Sequence, residues 1–374
     1  MEKNIGIYVH IPFCVRKCRY CDFPSFAGTD NVEIYFDALK SEIRNERDTR
    51  GRTADTVYLG GGTPSCVPPL YIENLMTELK KTYAISENTE ISMEMNPGTV
   101  EKDALSVYRR AGINRLSLGC QSFNDKSLKR LGRIHSSEDI IKTWDLLRAE
   151  GFENINLDLI SSLPGEGLKD MEFSLKKAIE LQPEHISVYS LIIEEGTEFR
   201  RLLDAGEMKD LPDEEEQAEM DSLVNSILRE NKYERYEISN FAKEGRKCKH
   251  NLRYWERGEY RGFGLGAASL IGNRRFSNTR DMVYINKPGG VLSEDRLLSR
   301  EDEMAEFMFL GLRKTEGISS ADFCTAFGTG IETVYGEQLK KQTADGFMEF
   351  SGGRYFYNDR GLEISNMLLP AFLF

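Results

Sequence analysis

The chain has 374 residues, 40% of them hydrophobic and 29% charged, a composition typical of soluble globular proteins. Its formal net charge of −12 argues against a nucleic-acid partner, because a phosphate backbone requires a basic face. Apolar runs fall short of the ~20 residues that cross a bilayer, and the N-terminus lacks the apolar core of a signal peptide. We therefore expect a cytoplasmic protein without a membrane span, with one large domain and one or two smaller ones.

Strand-like and helix-like segments alternate across the first half of the chain. Apolar runs rich in β-branched and aromatic residues occur at 5–11, 56–60, 91–95, 115–120, 154–160 and 185–192. Amphipathic helical patterns lie between them at 32–49, 69–82, 101–110, 137–150 and 168–181. This alternation predicts parallel strands joined by helical crossovers. The predicted fold class is therefore α/β, with a partial (β/α)6 barrel over residues 1–195.

The pattern changes after residue 195. Residues 213–231 predict an acidic helix, residues 233–242 alternate like a strand, and residues 247–269 are rich in aromatic residues and glycine. Later helical patterns at 300–313, 319–327 and 330–345 precede a hairpin at 347–357 and a final helix at 359–369. This order resembles a winged helix, and the acidic charge favours a protein partner over DNA. We therefore predict a middle region, 196–290, and a C-terminal α+β region, 291–374, with a winged-helix-like bundle.

Three cysteines follow the first predicted strand directly. Cys14, Cys18 and Cys21 form a C-x3-C-x2-C pattern in a loop at the carboxyl edge of the sheet, where barrels keep their active sites. Three thiolates can hold three irons of a 4Fe–4S cluster and leave the fourth iron open. Two alternatives remain at this point: a closed zinc site completed by His10, and a chance grouping of cysteines.

The segment around these cysteines matches a known signature. HIPFCVRKCRYC resembles that of the radical S-adenosylmethionine (SAM) superfamily, and YVH before it resembles the oxygen-independent coproporphyrinogen III oxidase family. The resemblance implies that the open iron binds the amino and carboxylate groups of SAM. An electron donor is then implied, because electron delivery to the cluster cleaves the SAM sulfonium to a 5′-deoxyadenosyl radical. His10 is expected to pack beside the cluster and orient the loop.

The ends of the later strands agree with this resemblance. LGGGTPS (59–65) resembles the family's GGTP motif, and polar residues end the third, fourth and fifth strands on the same rim. By resemblance, the SAM bound to the cluster is lined by Tyr8, Gly61, Glu94 and Phe263. Positions that contact a second SAM, or the substrate, in the oxidases correspond here to Tyr20, Gly62, Thr63, Gln121, Arg133, Asp158 and Ile192.

Two departures from the oxidase pattern indicate a particular branch. The oxidases have a further cysteine where this chain has Phe23, and they have a long N-terminal extension, whereas the first strand here starts by about residue 4. Both features resemble the heme chaperone branch, HemW, as does the motif H-N-x-x-Y-W at 250–255. The resemblance implies heme binding and transfer of heme to an acceptor hemoprotein that the sequence does not identify.

His250 is the residue predicted to contact heme. Imidazole is a common axial ligand of heme iron, and Tyr254 and Trp255 could stack on a flat macrocycle. Two alternatives stay open: a buried cluster of His250 with aromatic rings that only packs, and a thiolate ligand from Cys248. The other cysteines, Cys66, Cys120 and Cys324, are expected to be small buried hydrophobes, and His185 to be structural.

The resemblance favours a chaperone over an enzyme, so we assign no catalytic residue. The alternative is an oxidase that decarboxylates coproporphyrinogen III propionates to vinyl groups. A third hypothesis is a radical SAM enzyme that acts on heme itself. The sequence does not decide between a monomer and a homodimer.

Overall fold

The computed structural model describes residues 4–374. The strands are β1 (Ile5–Ile11), β2 (Phe13–Cys14), β3 (Phe26–Ala27), β4 (Thr53–Gly61), β5 (Ala84–Met95), β6 (Arg115–Gln121), β7 (Ile155–Ser161), β8 (His185–Ser190), β9 (Glu234–Arg235), β10 (Asn240–Ala242), β11 (Tyr260–Phe263), β12 (Ala268–Ile271), β13 (Arg274–Asn278), β14 (Leu292–Leu297), β15 (Ile318–Ser319), β16 (Met348–Ser351) and β17 (Arg354–Tyr357). The helices are α1 (Val32–Asn45), α2 (Pro69–Thr82), α3 (Lys102–Ala111), α4 (Asp125–Leu131), α5 (Ser137–Ala149), α6 (Leu168–Glu180), α7 (Glu198–Asp204), α8 (Glu214–Glu230), α9 (Lys249–Trp255), α10 (Arg300–Gly311), α11 (Ser320–Phe327), α12 (Ile331–Ala344), α13 (Asp359–Glu363) and α14 (Ser365–Leu368).

A mixed sheet organises the first three quarters of the chain. Its order is β14-β13-β12-β11-β1-β4-β5-β6-β7-β8-β10-β9. Neighbouring strands are parallel from β11 through β1 and β4 to β8, and antiparallel on both sides of that block. The six predicted parallel strands are therefore confirmed, with α/β crossovers between them, and the α/β barrel class is confirmed.

Local signals in the sequence explain where many helices begin and end. Helix α2 begins at Pro69. The backbone N–H groups in the first turn of a helix have no acceptor within that helix, so a proline, which lacks an N–H, loses no hydrogen bond there. Helix α5 begins with a capping box, in which the Ser136 side chain accepts from the Asp139 backbone and the Asp139 carboxylate accepts in return. Helix α3 ends at Gly112, whose φ of 100° is left-handed and favours glycine.

Several elements of the middle region differ from the prediction. The segment 233–242 forms two short antiparallel strands, β9 and β10, rather than one strand. The Arg235 side chain donates to the carbonyls of Glu237 and Ile238, which folds the chain back between them. Strand β11 joins the parallel block beside β1, and β12 to β14 extend it. These strands are short and glycine-flanked, and β11 pairs with a strand far away in the sequence, so alternation alone did not indicate them.

Two hydrophobic cores support these elements. The larger core combines the barrel strands and their helices with side chains of the middle region, including Val224, Phe241 and Tyr284. The smaller core contains residues from Met304 to Phe372. The apolar core thus continues across residue 195, and the proposed division into 1–195, 196–290 and 291–374 stays a prediction.

The C-terminal region has the predicted order of helices and hairpin. Helices α10, α11 and α12 precede the hairpin β16–β17, and β15 pairs with β17 to complete a small sheet. The predicted final helix is interrupted at Ile364, whose φ of −103° and ψ of 18° separate α13 from α14. Within residues 4–374, no helix is both long and apolar enough to cross a membrane.

Candidate functional site

A cavity of about 430 Å³ lies at the carboxyl ends of the parallel strands. It contains most of the predicted site residues: Cys14, Cys18, Cys21, Tyr20, Gly61, Gly62, Thr63, Glu94, Gln121, Arg133, Asp158 and Ile192. Parallel strands direct their carboxyl ends to one edge, so residues far apart in the sequence converge there. The structure therefore brings these predicted residues together in one place, and their roles remain proposals.

The cysteine loop is tied to the barrel by backbone hydrogen bonds on both flanks. Cys14 lies in β2, which pairs in parallel with β3, and the Gly28 amide donates to the Cys14 carbonyl at 2.8 Å. The Arg19 amide donates to the Leu131 carbonyl, and the Phe199 amide donates to the Arg19 carbonyl, both at 3.0 Å. These bonds hold the loop over the ends of the strands.

His10 fastens the same loop from the side. One ring nitrogen, Nε2, bonds to the Pro24 carbonyl at 2.8 Å, and Nδ1 bonds to the Tyr8 hydroxyl at 3.0 Å. Burial lowers the pKa of His10 to about 4, so the ring is neutral near pH 7. Because both ring nitrogens have partners, this geometry favours the orienting role over the zinc alternative.

The three thiols form a donor set suited to an iron–sulfur cluster. All three are partly exposed and free, and the Thr63 hydroxyl donates to Cys14 Sγ at 3.6 Å. Burial raises the pKa of Cys14 and Cys21, and the neighbouring Cys18 raises both further. No three His, Cys, Asp or Glu side chains between residues 4 and 374 converge as ligands of a single metal ion. Thiolates are the ligands that hold iron–sulfur clusters, so the chemistry of this donor set fits a 4Fe–4S group with one iron left open.

The glycine turn after β4 brings backbone to the cavity wall. Gly61 has a φ of 114°, and a Cβ there would lie 2.5 Å from the His10 ring. A Cβ on Gly62 would lie 2.6 Å from the Phe13 carbonyl oxygen. Glycine is therefore required at both positions by close approach, and at Gly61 also by its left-handed backbone.

A polar network connects the cysteine loop with the opposite wall. The Asn96 amide donates to Thr63 Oγ1 at 2.8 Å, and Arg133 donates to Asn96 Oδ1 at 2.9 Å and to the Tyr20 hydroxyl at 2.8 Å. Sequence reasoning missed Asn96, although it directly follows the third predicted strand, 91–95.

Two carboxyl groups face the cavity from β5 and β7. Burial raises the pKa of Glu94 to about 7, while the Gly61 amide, which donates to Oε2 at 3.0 Å, opposes this shift. Burial also raises the pKa of Asp158, and hydrogen bonds from Ser117 and Asn156 oppose it. Each carboxyl is thus held in place by donors within the barrel.

Two buried polar atoms remain available to a ligand. Within the described chain, Oε1 of Gln121 and Nε of Arg133 have no hydrogen-bond partner, and both residues line the cavity. Gln121 also has a left-handed φ of 61°, a conformation that strains the backbone of a residue other than glycine. The cavity therefore offers a polar ligand both an acceptor and a donor.

Tyr8 and Phe263 are not among the described side chains that line the cavity. The Tyr8 ring lies deeper in the barrel and stacks on Tyr58, with centroids 6.3 Å apart. Phe263 pairs in register with Val9, and both side chains are fully buried in the core. Side chains alternate between the two faces of a strand, so the Phe263 side chain lies on the face away from the cavity, and its expected SAM contact stays a prediction.

His250 lies at the opposite end of the barrel from the cysteines. Its Nδ1 bonds to Thr56 Oγ1 and its Nε2 to the Tyr254 hydroxyl, both at 2.9 Å, and its side chain is 1% exposed. Burial, followed by the charges of Arg253 and Arg115, lowers the pKa of His250 to about 3. The ring is therefore neutral, and both of its nitrogens have hydrogen-bond partners. This environment matches the alternative of a buried His–aromatic cluster and not that of an open heme ligand.

The remaining cysteines have different environments. Cys120 is buried, as expected of a small hydrophobe, and Cys66 is partly buried beside the Phe13 carbonyl, while Cys248 is also buried. Cys324 is exposed, contrary to expectation, because it lies on the outer side of the short helix α11. The Cys248 thiol faces Glu90 at 3.6 Å, so it too is occupied within the fold.

Comparison with known proteins places this architecture in a family. Residues 8–178 match the Radical SAM superfamily, and residues 298–364 match the HemN C-terminal domain. The chain is 37% identical over 373 residues to the "Heme chaperone HemW" of Bacillus subtilis, an alignment that covers 98% of both chains. It is 35% identical to the protein of the same name from Escherichia coli, over 99% of this chain and 98% of that one. The chain belongs to the HemW family of radical SAM proteins.

A solved structure supports the same fold. The coproporphyrinogen III oxidase HemN of Escherichia coli superposes with a TM-score of 0.86 over 99% of this chain and 90% of that chain. At 24% sequence identity, this likeness concerns the fold alone. Membership of the radical SAM superfamily implies a 4Fe–4S cluster and SAM as cofactors.

Proposed function

We propose that this protein is a heme chaperone that holds a 4Fe–4S cluster and SAM in the cavity, binds heme and transfers it to an acceptor hemoprotein. The observation that carries the proposal is the end-to-end likeness, at 37% identity, to a protein named heme chaperone. The proposal also requires an electron donor. Seven free cysteines fit the reducing cytoplasm, which is the compartment we propose.

The cluster would be held by the thiolates of Cys14, Cys18 and Cys21, which leave one iron for SAM. When bound, the cluster supplies an electron to the sulfonium of SAM. The chain itself supplies placement, since the backbone of Gly61 and Gly62 permits close approach of a ligand. His10 keeps the loop in register through its bond to Pro24.

The polar side chains of the cavity would orient SAM. The Glu94 carboxylate is a suitable acceptor for an amino group, and Asp158 for hydroxyls or a second cationic group. Arg133 and Gln121 offer the buried donor and acceptor that have no partner elsewhere in residues 4–374.

Heme requires an apolar surface and a place for its carboxylates. Three exposed apolar side chains line the cavity, Phe23, Tyr189 and Ile192, each between 41% and 64% exposed. The cations Arg16 and Lys17 line the same cavity and suit the two propionates of heme. We therefore place heme against this apolar rim, the three apolar residues just named, because His250 is buried.

A heme titration tests the binding site. Anaerobically reconstituted protein should give a saturable Soret change, and replacing Phe23 and Ile192 together by Ser should weaken heme affinity about tenfold, since apolar contact is lost. The matched control is Leu70→Ser, an apolar residue of similar exposure that does not line the cavity. Equal affinities of the rim variant and the control would remove the rim as the heme site.

An activity assay distinguishes the chaperone from an oxidase. Heme-loaded protein should deliver heme to the apo form of a b-type cytochrome, and faster with SAM and reductant than without them. The same protein incubated with coproporphyrinogen III, SAM and reductant should form no protoporphyrinogen. Many turnovers of decarboxylation would replace the chaperone by the oxidase.

A further inference from the structure

A chain of hydrogen bonds runs through the buried end of the barrel from helix α9 to the cavity. The Cys248 amide bonds to the Tyr236 hydroxyl at 3.2 Å, and this hydroxyl bonds to His185 Nε2 at 2.8 Å. His185 Nδ1 bonds to Asn156 Oδ1 at 2.6 Å, and Asn156 Nδ2 donates to Asp158 Oδ1 at 2.8 Å. Helix α9, which we call the motif helix because it contains the H-N-x-x-Y-W residues, is thus connected to a residue of the cavity wall.

Chemistry fixes the direction of every bond in this chain. The Asp158 carboxylate can only accept, so Asn156 must present its amide nitrogen to Asp158 and its oxygen to His185. His185 must therefore carry its proton on Nδ1, and its bare Nε2 accepts from the Tyr236 hydroxyl. That leaves the Tyr236 oxygen to accept from the Cys248 amide, which can only donate. All donors point from the motif helix towards Asp158.

Burial makes the chain sensitive to the loss of any one bond. Asn156, His185, Tyr236 and Cys248 are each at most 2% exposed. Water cannot replace a lost partner there, so each orphaned group keeps the full cost of its lost hydration. Burial and the nearby charge of Arg115 also lower the pKa of His185 well below its ordinary value, so the ring stays neutral. The bonds therefore keep one arrangement.

The Asp158 end of the chain is held from two sides. The Ser117 hydroxyl donates to Asp158 Oδ2 at 2.6 Å and accepts from Asn156 Nδ2 at 2.7 Å. Both carboxylate oxygens are thus oriented by donors from inside the barrel, while the half-buried side chain faces the cavity. The arrangement of Asn156 consequently determines how Asp158 meets a ligand.

We infer that Tyr236 and His185 are positioning residues, which orient Asp158 towards its ligand and make ligand binding and the state of the motif helix depend on each other. The inference rests on the proposed function in one respect, which is the identity of the ligand as SAM. Coupling between two sites is reciprocal, so a change at either end of the chain should be detected at the other.

The first arm perturbs the cavity and observes the motif helix without ligand. In reconstituted protein, Asp158→Ala should speed amide hydrogen exchange of residues 248–252 several-fold, because the chain loses its terminal acceptor. The matched control is Gln121→Ala, another polar residue of the cavity wall outside the chain. Equal exchange of residues 248–252 in the two variants would overturn the inference, whatever the affinity for SAM.

The second arm perturbs the far end and observes the cavity. Tyr236→Phe should weaken SAM binding about tenfold, the loss expected from one displaced hydrogen bond, with the native iron content retained. The matched control is Tyr233→Phe, an equally buried tyrosine whose hydroxyl donates to the Pro183 carbonyl at 2.8 Å outside the chain. Equal SAM affinity of the two variants would contradict the positioning role. A native protein that binds no SAM would refute the proposed cofactor instead, and the exchange arm would still decide the linkage.

Discussion

Tyr58 and His250 stack inside the barrel, with ring centroids 5.3 Å apart and 27° between the ring planes. The Tyr58 hydroxyl donates to Glu94 Oε1 at 3.0 Å, so the same tyrosine contacts the carboxyl group of the cavity. The imidazole of the H-N-x-x-Y-W motif therefore packs beneath the floor of the cofactor cavity. This relationship gives His250 a structural role that its sequence motif does not reveal.

Replacing His250 by Ala tests that role. The change would leave Thr56 Oγ1 and the Tyr254 hydroxyl without their partners and open a cavity beside Tyr58. We expect the free energy of unfolding to fall by about 2–4 kcal/mol in denaturant titrations. Heme affinity, followed by the Soret band, should stay native. A lost Soret change at native stability would instead identify His250 as a heme ligand.

The parallel block could be predicted well from the sequence because its signals are local. Each strand is a short apolar run, each crossover helix has its own cap or proline, and parallel strands place their ends together. For that reason the order of residues along the chain was enough to assign Cys14, Glu94 and Asp158 to one edge of the sheet. Short strands such as β11 have no comparable pattern, since their pairing with β1 depends on tertiary contacts.

Partners inside the barrel could not be predicted in the same way. Whether His250 is open or buried depends on Thr56 and Tyr254, which reach it from different elements. Sequence reasoning likewise assigned His185 only a structural role, because its bonds to Asn156 and Tyr236 join segments that are remote in the chain. The spacing of residues in the sequence identifies a motif. The hydrogen-bond partners of its side chains depend on the register of the barrel strands, which the sequence does not show.

The cysteine assignment is tested by iron content. Changing Cys14, Cys18 and Cys21 together to Ala should abolish the binding of about four irons per chain in anaerobic reconstitution, because all thiolate ligands are removed. Iron and sulfide analysis with the visible spectrum provides the measurement. Cys66→Ala is the control, since Cys66 lies beside the loop but donates to the Phe13 carbonyl, and it should retain the cluster. A full cluster in the triple variant would refute the ligand set.

Close approach at the glycine turn is tested by adding one methyl group. Gly61→Ala forces a left-handed residue and places its Cβ against the His10 ring, whereas Gly98→Ala, with φ of 75°, has no described atom within 4 Å of its Cβ. Both should lose about 1–2 kcal/mol of unfolding free energy from backbone strain. We expect Gly61→Ala alone to lose SAM affinity in equilibrium binding as well. The same SAM affinity in both variants would show that the turn does not shape the ligand site.

The carboxyl of Glu94 should give stability a definite pH dependence. Burial raises its pKa from 4.5 to about 7, and the nearby charge of Asp158 adds to this shift. The folded chain therefore keeps a proton over a pH range in which the unfolded chain has released it. The stabilising contribution of neutral Glu94 is complete below pH 4.5 and is lost as the pH rises towards about 7.

Relative to Glu94→Gln, the free energy of unfolding of the native chain should fall across this window by up to ~1.4 kcal/mol per pH unit and then level off. Denaturant titrations of both proteins across this pH window measure the difference between their free energies of unfolding. The buried histidines are the same in both proteins, so their opposite pH dependence cancels in this difference. A flat difference would show that Glu94 ionises in the folded protein as it does in water, and a difference that rises with pH would show that folding lowers its pKa instead.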